Sequence, residues 1–312
     1  MTQSATLMAA DDRGPIGKVG LFLHPSQAPA QELGDRLRAL LEGRGCQVWS
    51  SSAWDPAAAA RHMDGTDLLI CIGGDGTVLR GARAAVPHPV HILAVNMGRL
   101  GFLSELTPEE TPQEVMAVLD GAGRIEDRTM LTGEVCHPEN GEPVARLPIQ
   151  YALNDIVVGR YAPGRPVYIN VRVEGESLET VRADGVIVAT ATGTTGYSLS
   201  AGGPVLFPEA RQLVITPVAA HLSRVRPLVI PEGLSVELRV ETDHRAVASF
   251  DGQVDEELES GACVRIRRAP YLARFIRLRP PADFYRKLIR HLDEPVDRPE
   301  YPFRPPQETA PA

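Results

Sequence analysis

The turn Gly73-Gly74-Asp75-Gly76-Thr77 constrains the fold of this chain more than any other segment. It follows an apolar run over residues 68–72 and precedes a helical pattern over residues 78–86, which predicts a strand, a glycine turn and a helix. Glycines let a phosphate chain approach the backbone, and a helix N-terminus offers free N–H groups. The Asp75 carboxylate repels phosphate, so it is a base, a metal partner or only a helix cap.

Strands and helices alternate on both sides of this turn. The sequence predicts strands at Lys18–His24, around Val48 and Trp49, at residues 68–72, and at His91–Asn96. Leucines at helical spacing follow the first strand, and Val115, Val118 and Leu119 belong to a further helix. This alternation predicts an α/β N-terminal domain with a parallel, Rossmann-like sheet. Ligands of such sheets bind beyond the carboxyl ends of the strands, where residues 73–77 and 96–101 lie.

The pattern changes near Arg124, where short β-rich runs separated by Gly and Pro replace it. We predict strands at residues 149–158, 167–173, 186–189, 213–216, 228–230, 234–240 and 264–267. The second domain is therefore predicted to be β-rich and largely antiparallel. The resulting division is a flexible arm at 1–16, an α/β domain at 17–124, a β-rich domain at 125–278, a helix within 279–293 that packs back on the first domain, and a disordered tail at 294–312.

Composition excludes several classes of protein. The formal net charge of -8 argues against nonspecific binding to nucleic acids or anionic membranes, which need a basic surface. No apolar run reaches the ~18 residues of a membrane helix, and no signal-like core occurs near the start. Cys46, Cys71, Cys136 and Cys263 form no CxxC pair. We therefore expect a protein of the reducing cytoplasm, without zinc or thioredoxin-like chemistry.

Lysine occurs only at Lys18 and Lys287. Val19 follows Lys18 where a Walker loop needs Ser or Thr, so that motif is excluded. Arginine must therefore supply any cationic contact to phosphate.

Three further motifs have both a functional and a structural interpretation. Asn154-Asp155 has one polar group for each hydroxyl of a ribose, but the pair is also typical of an Asx turn. In residues 182–185, Asp184 can accept from a base or a hydroxyl, and Arg182 can face a phosphate or pair with Asp184. Residues 192–204 combine small residues, hydroxyls and Tyr197, which can stack on a base, although a flexible linker has similar composition. Asp251-Gly252 is a common hairpin turn.

Together these motifs resemble the NAD kinase family in order and approximate spacing. Gly73–Thr77 resembles the GGDGT signature of that family, and residues 96–103 resemble its N-x-G-x-L-G-F-L element. Asn154-Asp155 resembles its Asn-Glu pair, with a shorter carboxylate side chain at Asp155. Residues 182–185, 192–204, 217–229 and 251–253 resemble later elements. The resemblance covers about Lys18 to Leu288.

The resemblance implies ATP-dependent transfer of a phosphoryl group to the adenosine ribose 2′-hydroxyl of NAD, giving NADP. It implies a two-domain fold, Mg²⁺ bound mainly through the ATP phosphates, and a homodimer or homotetramer. Asp75 would be the general base and Arg80 would contact phosphates. The phosphate loop would contain Gly73, Gly74, Gly76 and Thr77. The residues that would contact the nucleotide are Asn154, Asp155, Arg165, Arg182, Asp184, Thr195, Gly196, Tyr197, Ser198, Leu199, Ser200, Ala219 and Gln253. Of these, Ala219 and Gln253 could come from a partner subunit. Two alternatives remain: a GGDGT-type lipid or sugar kinase, and a noncatalytic dinucleotide-binding regulator.

Overall fold

A computed structural model describes residues 14–98, 101–137, 142–144, 147–162, 165–220 and 226–293 of the chain. These residues form sixteen strands in two sheets, together with six α-helices and one 3₁₀ turn. The predicted tail and most of the predicted N-terminal arm lie outside the described residues. None of the described helices is both long and apolar enough to cross a lipid bilayer.

The N-terminal half is a parallel sheet with helices on both faces. Its strands pair in the order β2-β1-β3-β4, and they are β1 (Lys18–Leu23), β2 (Gln47–Ser52), β3 (Leu68–Gly73) and β4 (His91–Asn96). The helices are α1 (Ala28–Gly43), α2 (Pro56–Met63), α3 (Asp75–Ala85) and α4 (Thr111–Leu119). Helices α2 and α3 bury one face of this sheet and α1 and α4 bury the other, so every residue of β3 is buried.

The C-terminal half is built from antiparallel strands. They are β5 (Arg124–Cys136), β6 (Gln150–Ala152), β7 (Asp155–Arg160), β8 (Val167–Val173), β9 (Glu176–Ala183), β10 (Gly185–Ala189), β11 (Gln212–Val218), β12 (Leu228–Pro231), β13 (Val236–Glu241), β14 (Ala246–Phe250), β15 (Val254–Leu258) and β16 (Cys263–Arg277). Six of them form a second sheet in the order β12-β11-β10-β7-β14-β15. This sheet packs on β5, β8, β13 and β16 around a continuous apolar core.

Strand β16 joins the two halves. Its C-terminal end lies parallel to β4, with Arg274 opposite His91 and Phe275 opposite Ile92, while the rest pairs antiparallel with β5 and β13. The larger sheet therefore continues from the α/β half into the β-rich half. The predicted fold class is confirmed. The division at residue 124 stays a prediction, since residues on both sides of it contribute strands to one sheet.

Several elements differ from the sequence predictions for identifiable reasons. The run 149–158 forms two strands, β6 and β7, because the chain turns at Leu153-Asn154. Helix α2 was not predicted since its alanines give no apolar period, although Pro56 at its start and the Asp55 cap are ordinary helix signals. Strand β5 was missed because buried charged residues interrupt its apolar alternation. Strands β9, β14 and β15 were also missed.

Those buried charges form an ion-pair network at the junction of the two halves. Glu126 Oε1 accepts from Arg128 Nη2 at 2.6 Å and from Arg277 Nε at 2.9 Å, and Arg277 Nη1 donates to Glu105 Oε2 at 3.2 Å. Burial opposes ionisation of Glu126, but Arg277 and Arg128 outweigh it and hold its pKa well below its usual range. Buried ions persist only when ion pairs and hydrogen bonds offset the loss of hydration. The network therefore fixes β5, β16 and the segment after β4 relative to one another.

Gly81 allows α3 to lie close to β3, which generates a prediction about stability. A Cβ at Gly81 would overlap the Cys71 sulfur. We expect Gly81→Ala to lower the free energy of unfolding by roughly 1–3 kcal/mol, although alanine favours helices. Urea denaturation checks this, with Gly34→Ala in α1 as the matched control, because its Cβ would meet only the end of the Leu23 side chain, at 3.0 Å.

The second substitution Cys71→Ala makes the test specific. Removing the sulfur creates the space that the methyl group added by Gly81→Ala requires, so Cys71→Ala should destabilise the Gly81→Ala background less than the wild-type background. Additive effects would contradict the proposed contact.

Candidate active site

The Asp75 carboxylate is held by the segment that follows β4. Its Oδ2 accepts from the Phe102 N–H at 3.0 Å, and its Oδ1 accepts from Ser104 Oγ at 3.4 Å. Gly101 is required beside it, because a Cβ there would overlap the carboxylate. The N-cap position of α3 is Gly74, which has no side-chain cap. Asp75 is therefore bound across the carboxyl edge of the sheet.

The surroundings make Asp75 a stronger base than a surface aspartate. Burial raises its pKa, while the Leu103 and Phe102 N–H groups, the Ser104 hydroxyl and the Arg128 charge lower it less than burial raises it. A carboxylate with a raised pKa is better matched to accepting a proton from an alcohol. The chemistry at this position therefore fits a general base.

Asp251 organises the Asn154-Asp155 pair. Its carboxylate accepts from three consecutive backbone N–H groups, those of Leu153 at 2.9 Å, Asn154 at 2.8 Å and Asp155 at 3.2 Å. Asp251 adopts φ 53° in the turn between β14 and β15. The hairpin turn recognised in the sequence thus also fixes the backbone at the start of β7.

A cavity of about 340 Å³ opens in front of this pair. It is lined by Asn154, Asp155, Val157, Tyr197, Ser249, Asp251 and Gly252. Asp155 is only 6% exposed, and no group among the described residues donates to its carboxylate. Burial, together with the charge of Asp251, raises the pKa of Asp155 to about 7. A ligand hydroxyl is the kind of donor that this carboxylate lacks.

The β14–β15 hairpin connects the cavity to the Asp75 turn. Gln253 Nε2 donates to the Gly76 carbonyl at 3.0 Å, and Arg83 Nη1 donates to the Phe250 carbonyl at 3.5 Å. Both contacts lie within one chain. The β14–β15 hairpin therefore links the two motifs, which lie about eighty residues apart in the sequence.

Residues 192–200 are folded against the same region. They form a 3₁₀ turn at Thr192–Thr195 and the short helix α5 (Tyr197–Ser200). A Cβ at Gly193 would overlap the Asn154 carbonyl, so the glycine allows close packing. Tyr197 is 48% exposed at the cavity. The segment is therefore an ordered wall with an available aromatic ring.

The hydroxyls of this wall are mostly engaged internally. Ser198 Oγ is buried at 3.0 Å from Thr216 Oγ1, and Thr195 Oγ1 donates to the Thr192 carbonyl at 3.1 Å. Gly196 and Leu199 are partly buried, and Ser200 is exposed. Tyr197 is the member of residues 195–200 that lines the cavity.

A second group of predicted residues lies at the opposite end of the antiparallel sheet. Asp184 pairs with Arg160 at 2.9 Å, while Arg182 is exposed and Ala219 adopts φ 47° next to β11. In the strand register Ala189 is opposite Asp155, and Gly185 is opposite Gly159, so the two groups are separated by about 13 Å of strand. Arg165 is also exposed, and its Nη1 lies 3.5 Å from Asp243 Oδ2. The structure therefore separates this group from the cavity.

Arg80 lies on α3 near the glycine turn. Its guanidinium carbon is 4.9 Å from the centroid of the Trp54 ring, and the His24 ring contacts the same indole at 4.5 Å. No carboxylate among the described residues pairs with Arg80. This cation is thus available at the carboxyl edge of the sheet.

Sequence reasoning missed the residues that hold the functional groups. Gly101, Phe102 and Ser104 bind Asp75, and Asp251 binds the backbone of residues 153–155. Gly101 and Phe102 were part of a recognised motif, but no local signal connects them with Asp75. Arg83 was missed because a single arginine on a helix carries no distinguishing pattern.

The chain matches two family descriptions that between them cover most of it. Residues 5–123 match the ATP-NAD kinase N-terminal domain, and residues 153–278 match the ATP-NAD kinase C-terminal domain. The chain belongs to the NAD kinase family. The resemblance inferred from the motifs is thereby confirmed.

Individual NAD kinases support the same assignment. The chain is 39% identical over 271 residues to the NAD kinase of Dehalococcoides mccartyi strain CBDB1, covering 87% of this chain and 94% of that protein. An NAD kinase from Archaeoglobus fulgidus, solved in complex with ATP, has a TM-score of 0.69 and 25% identity over 87% of this chain and 97% of that one. Yeast NADH kinase, solved with NADH, shares the fold at a TM-score of 0.79 and 23% identity, over 90% and 88% of the two chains.

The buried Asp155 carboxylate yields a prediction about stability and pH. The raised pKa means that folding favours the protonated form of Asp155. This contribution to the free energy of unfolding is complete below the ordinary carboxyl range and is lost as the pH rises through about 7. Asp155→Asn should therefore increase the free energy of unfolding of the ligand-free protein by roughly 1–3 kcal/mol at pH 8, and by less at pH 5. Urea denaturation at both pH values measures this.

The matched control for that measurement is Asp35→Asn, on the exposed side of α1. It should leave stability nearly unchanged at both pH values. A destabilising Asp155→Asn at pH 8 would contradict the assignment of an unpaired buried charge.

Proposed function

We propose that this chain is an NAD kinase that transfers the γ-phosphoryl group of ATP to the 2′-hydroxyl of the adenosine ribose of NAD, giving NADP. The observation that carries the proposal is the Gln253–Gly76 hydrogen bond, which connects the Asp75 turn to the hairpin that borders the Asp155 cavity. The NAD kinases among its relatives and the ATP complex of the Archaeoglobus enzyme support it.

Asp75 is the general base in this proposal. A secondary hydroxyl is a weak acid, so it attacks efficiently only when a neighbouring group accepts its proton, which accelerates reactions about 10²–10⁴-fold. The hydroxyl proton passes to an Asp75 carboxylate oxygen as the 2′-oxygen forms a bond to the γ-phosphorus. The bond between that phosphorus and the β–γ bridging oxygen breaks, and ADP leaves with the electron pair. No covalent intermediate with the protein is required.

The glycine turn and arginines of α3 bind the triphosphate. A Cβ at Gly74 or Gly76 would meet nothing within 4 Å, so the space beside the start of the helix is open. Gly73 lies inside the turn, where Thr77 packs against it. The helix N-terminus and Arg80 then provide the positive charge that phosphoryl transfer requires.

Mg²⁺ enters the site with ATP in this proposal. No three His, Cys, Asp or Glu side chains come together as a metal cage among the residues that the structure describes. A magnesium ion carried mainly by phosphate oxygens needs few protein ligands. The donor substrate is therefore written as MgATP.

The NAD-binding region combines the cavity with the more distant group. Asn154 and Asp155 hold a ribose through its hydroxyls, and Tyr197 stacks on a base. Asp184, Arg182 and Arg165 contact other parts of the dinucleotide, and Ala219 and Gln253 border it. NAD is long enough to extend along the outer surface of β7 between the two groups.

The assembly and location remain part of the proposal. Edge strand β12 exposes Leu228 and Val229, which suits pairing between copies in a homodimer or homotetramer. All four cysteines are buried and free of disulfides, which suits the cytoplasm.

A coupled assay for NADP formation from NAD, ATP and Mg²⁺ tests the function, and Asp75→Asn tests the base. The variant should bind NAD with unchanged affinity but lose at least about 100-fold in kcat, because amide nitrogen and oxygen do not accept the proton. Asp120→Asn on the exposed surface is the matched control. Wild-type turnover by Asp75→Asn would remove Asp75 from the mechanism.

The two alternative functions are separate outcomes of the same experiment. Phosphorylation of a lipid or sugar, but not of NAD, in a panel with labelled ATP would identify another GGDGT-type kinase. Calorimetric binding of NAD without NADP formation would identify a dinucleotide-binding regulator.

The pH dependence of the kinetics distinguishes Asp75 from Asp155. Since burial raises the pKa of Asp75, kcat should fall on the acid side with a midpoint above the ordinary value of about 4. Ionisation of Asp155 near pH 7 should appear instead in kcat/KM for NAD, and that limb should disappear in Asp155→Asn while the kcat limb remains. A kcat limb at or below pH 4 would contradict the environment described for Asp75.

A further inference from the structure

Residues 102–104, which contact Asp75, are bound on their other side by the C-terminal part of the chain. The Phe102 ring packs 4.3 Å from the His291 ring and 6.3 Å from the Phe284 ring of α6 (Asp283–Asp293). The Leu103 carbonyl accepts from Arg277 Nη1 at 2.8 Å. The Ser104 carbonyl accepts from Lys287 Nζ at 2.6 Å. On its other side the same segment donates to the Asp75 carboxylate.

Lys287 is the unusual member of this arrangement. It is one of two lysines in the chain and is only 9% exposed. Its Nζ lies 3.7 Å from Asp283 Oδ2, and Arg277, Glu105 and Arg128 are the other charged groups near it. Burying an ammonium group is unfavourable unless it has partners, and the Ser104 carbonyl, at 2.6 Å, is nearer to Nζ than the Asp283 carboxylate is.

Anchoring α6 does not by itself require this lysine. Phe284 also packs against Phe207, at 5.7 Å between ring centroids, and so fixes the helix through apolar contacts. The Ser104–Asp75 hydrogen bond, by contrast, is already long at 3.4 Å. A displacement of Ser104 by a fraction of an ångström would break it, because hydrogen bonds weaken steeply beyond this distance.

We propose that Lys287 is a positioning residue for the reaction: it holds the Ser104 carbonyl so that Ser104 Oγ and the Phe102 N–H keep the Asp75 carboxylate aimed at the acceptor hydroxyl. This inference rests on the proposed function of Asp75 as base. Lys287 touches neither the cavity nor the glycine turn, so it acts through residues 102–104.

The test compares Lys287→Met with Arg290→Met, its matched control about one turn further along α6. Arg290 is exposed, so that variant should behave like the wild type. Lys287→Met should lower kcat about tenfold while KM for NAD and for MgATP stays within about twofold, since only the aim of the base changes. An unchanged kcat, or a proportional rise in either KM, would overturn the proposal.

A second comparison uses the Asp75→Asn background. If Lys287 acts by aiming the carboxylate, Lys287→Met should cause no further loss of the residual turnover there. A further tenfold loss in that background would mean that Lys287 has a general structural role. Should Lys287→Met fail to fold, His291→Leu provides the second variant, because it removes the imidazole ring that packs on Phe102 without removing a buried charge. It should also lower kcat at constant KM, and unchanged kinetics would contradict the proposal.

The outcomes also distinguish this inference from the proposed function. A wild-type protein that forms no NADP would refute the function itself. A wild-type enzyme that is active, is inactivated by Asp75→Asn, and is indifferent to Lys287→Met and His291→Leu would refute only the positioning role.

Discussion

The rest of the site depends on one partly buried carboxylate that its own turn does not stabilise. Asp75 begins α3, yet its oxygens are bound by the Phe102 N–H and by Ser104 Oγ, which follow a different strand. That arrangement requires the glycine at residue 101 and a fixed position for the segment after it. The ion-pair network around Arg277 fixes this segment, and β16 brings Arg277 there from the C-terminal half. The geometry of the N-terminal turn therefore depends on strands formed almost two hundred residues later.

The second site contains two neighbouring carboxylates, Asp251 and Asp155, with different hydrogen bonding. Asp251 is buried but fully used, since three backbone N–H groups donate to it. Asp155, which Asp251 positions, is buried without a donor among the described residues, and its pKa is raised accordingly. Burial raises the pKa of Asp251 as well, although its three backbone donors lower it. Asp155 has no such donor and destabilises the ligand-free protein when it is ionised. Such local conflict is expected where a ligand supplies the missing partner. It explains why stability and binding should respond in opposite directions to the same substitution.

Local signals predicted the parts of the fold that depend on neighbouring residues. The apolar run before Gly73 and the helical pattern after Thr77 specify strand, turn and helix together, and β4 and β8 have the predicted bounds. The sequence predicts four residues of β16, which extends over fifteen. Its charged residues interrupt the apolar pattern, and two of them pair with β5, Arg277 with Glu126 and Arg274 with Asp127. Likewise, Asp251 has the local pattern of a turn residue, and its three donors come from about a hundred residues earlier. Hydrogen bonds between residues so far apart in the sequence cannot be recognised from a short stretch of it.

The lysines and the arginines of this chain have different contacts. Both lysines are used on backbone carbonyls: Lys18 Nζ donates to His62 and Asp64, and Lys287 Nζ donates to Ser104. Neither is therefore available to neutralise a triphosphate. Arg80 and Arg83 follow Gly76 by four and seven residues, which places all three on one face of α3, and Arg83 already reaches the hairpin that borders the cavity. A guanidinium binds phosphate oxygens in pairs, whereas an ammonium acts as a point charge. In the proposed mechanism, Arg80 and Arg83 would thus orient the transferred group as well as neutralise it.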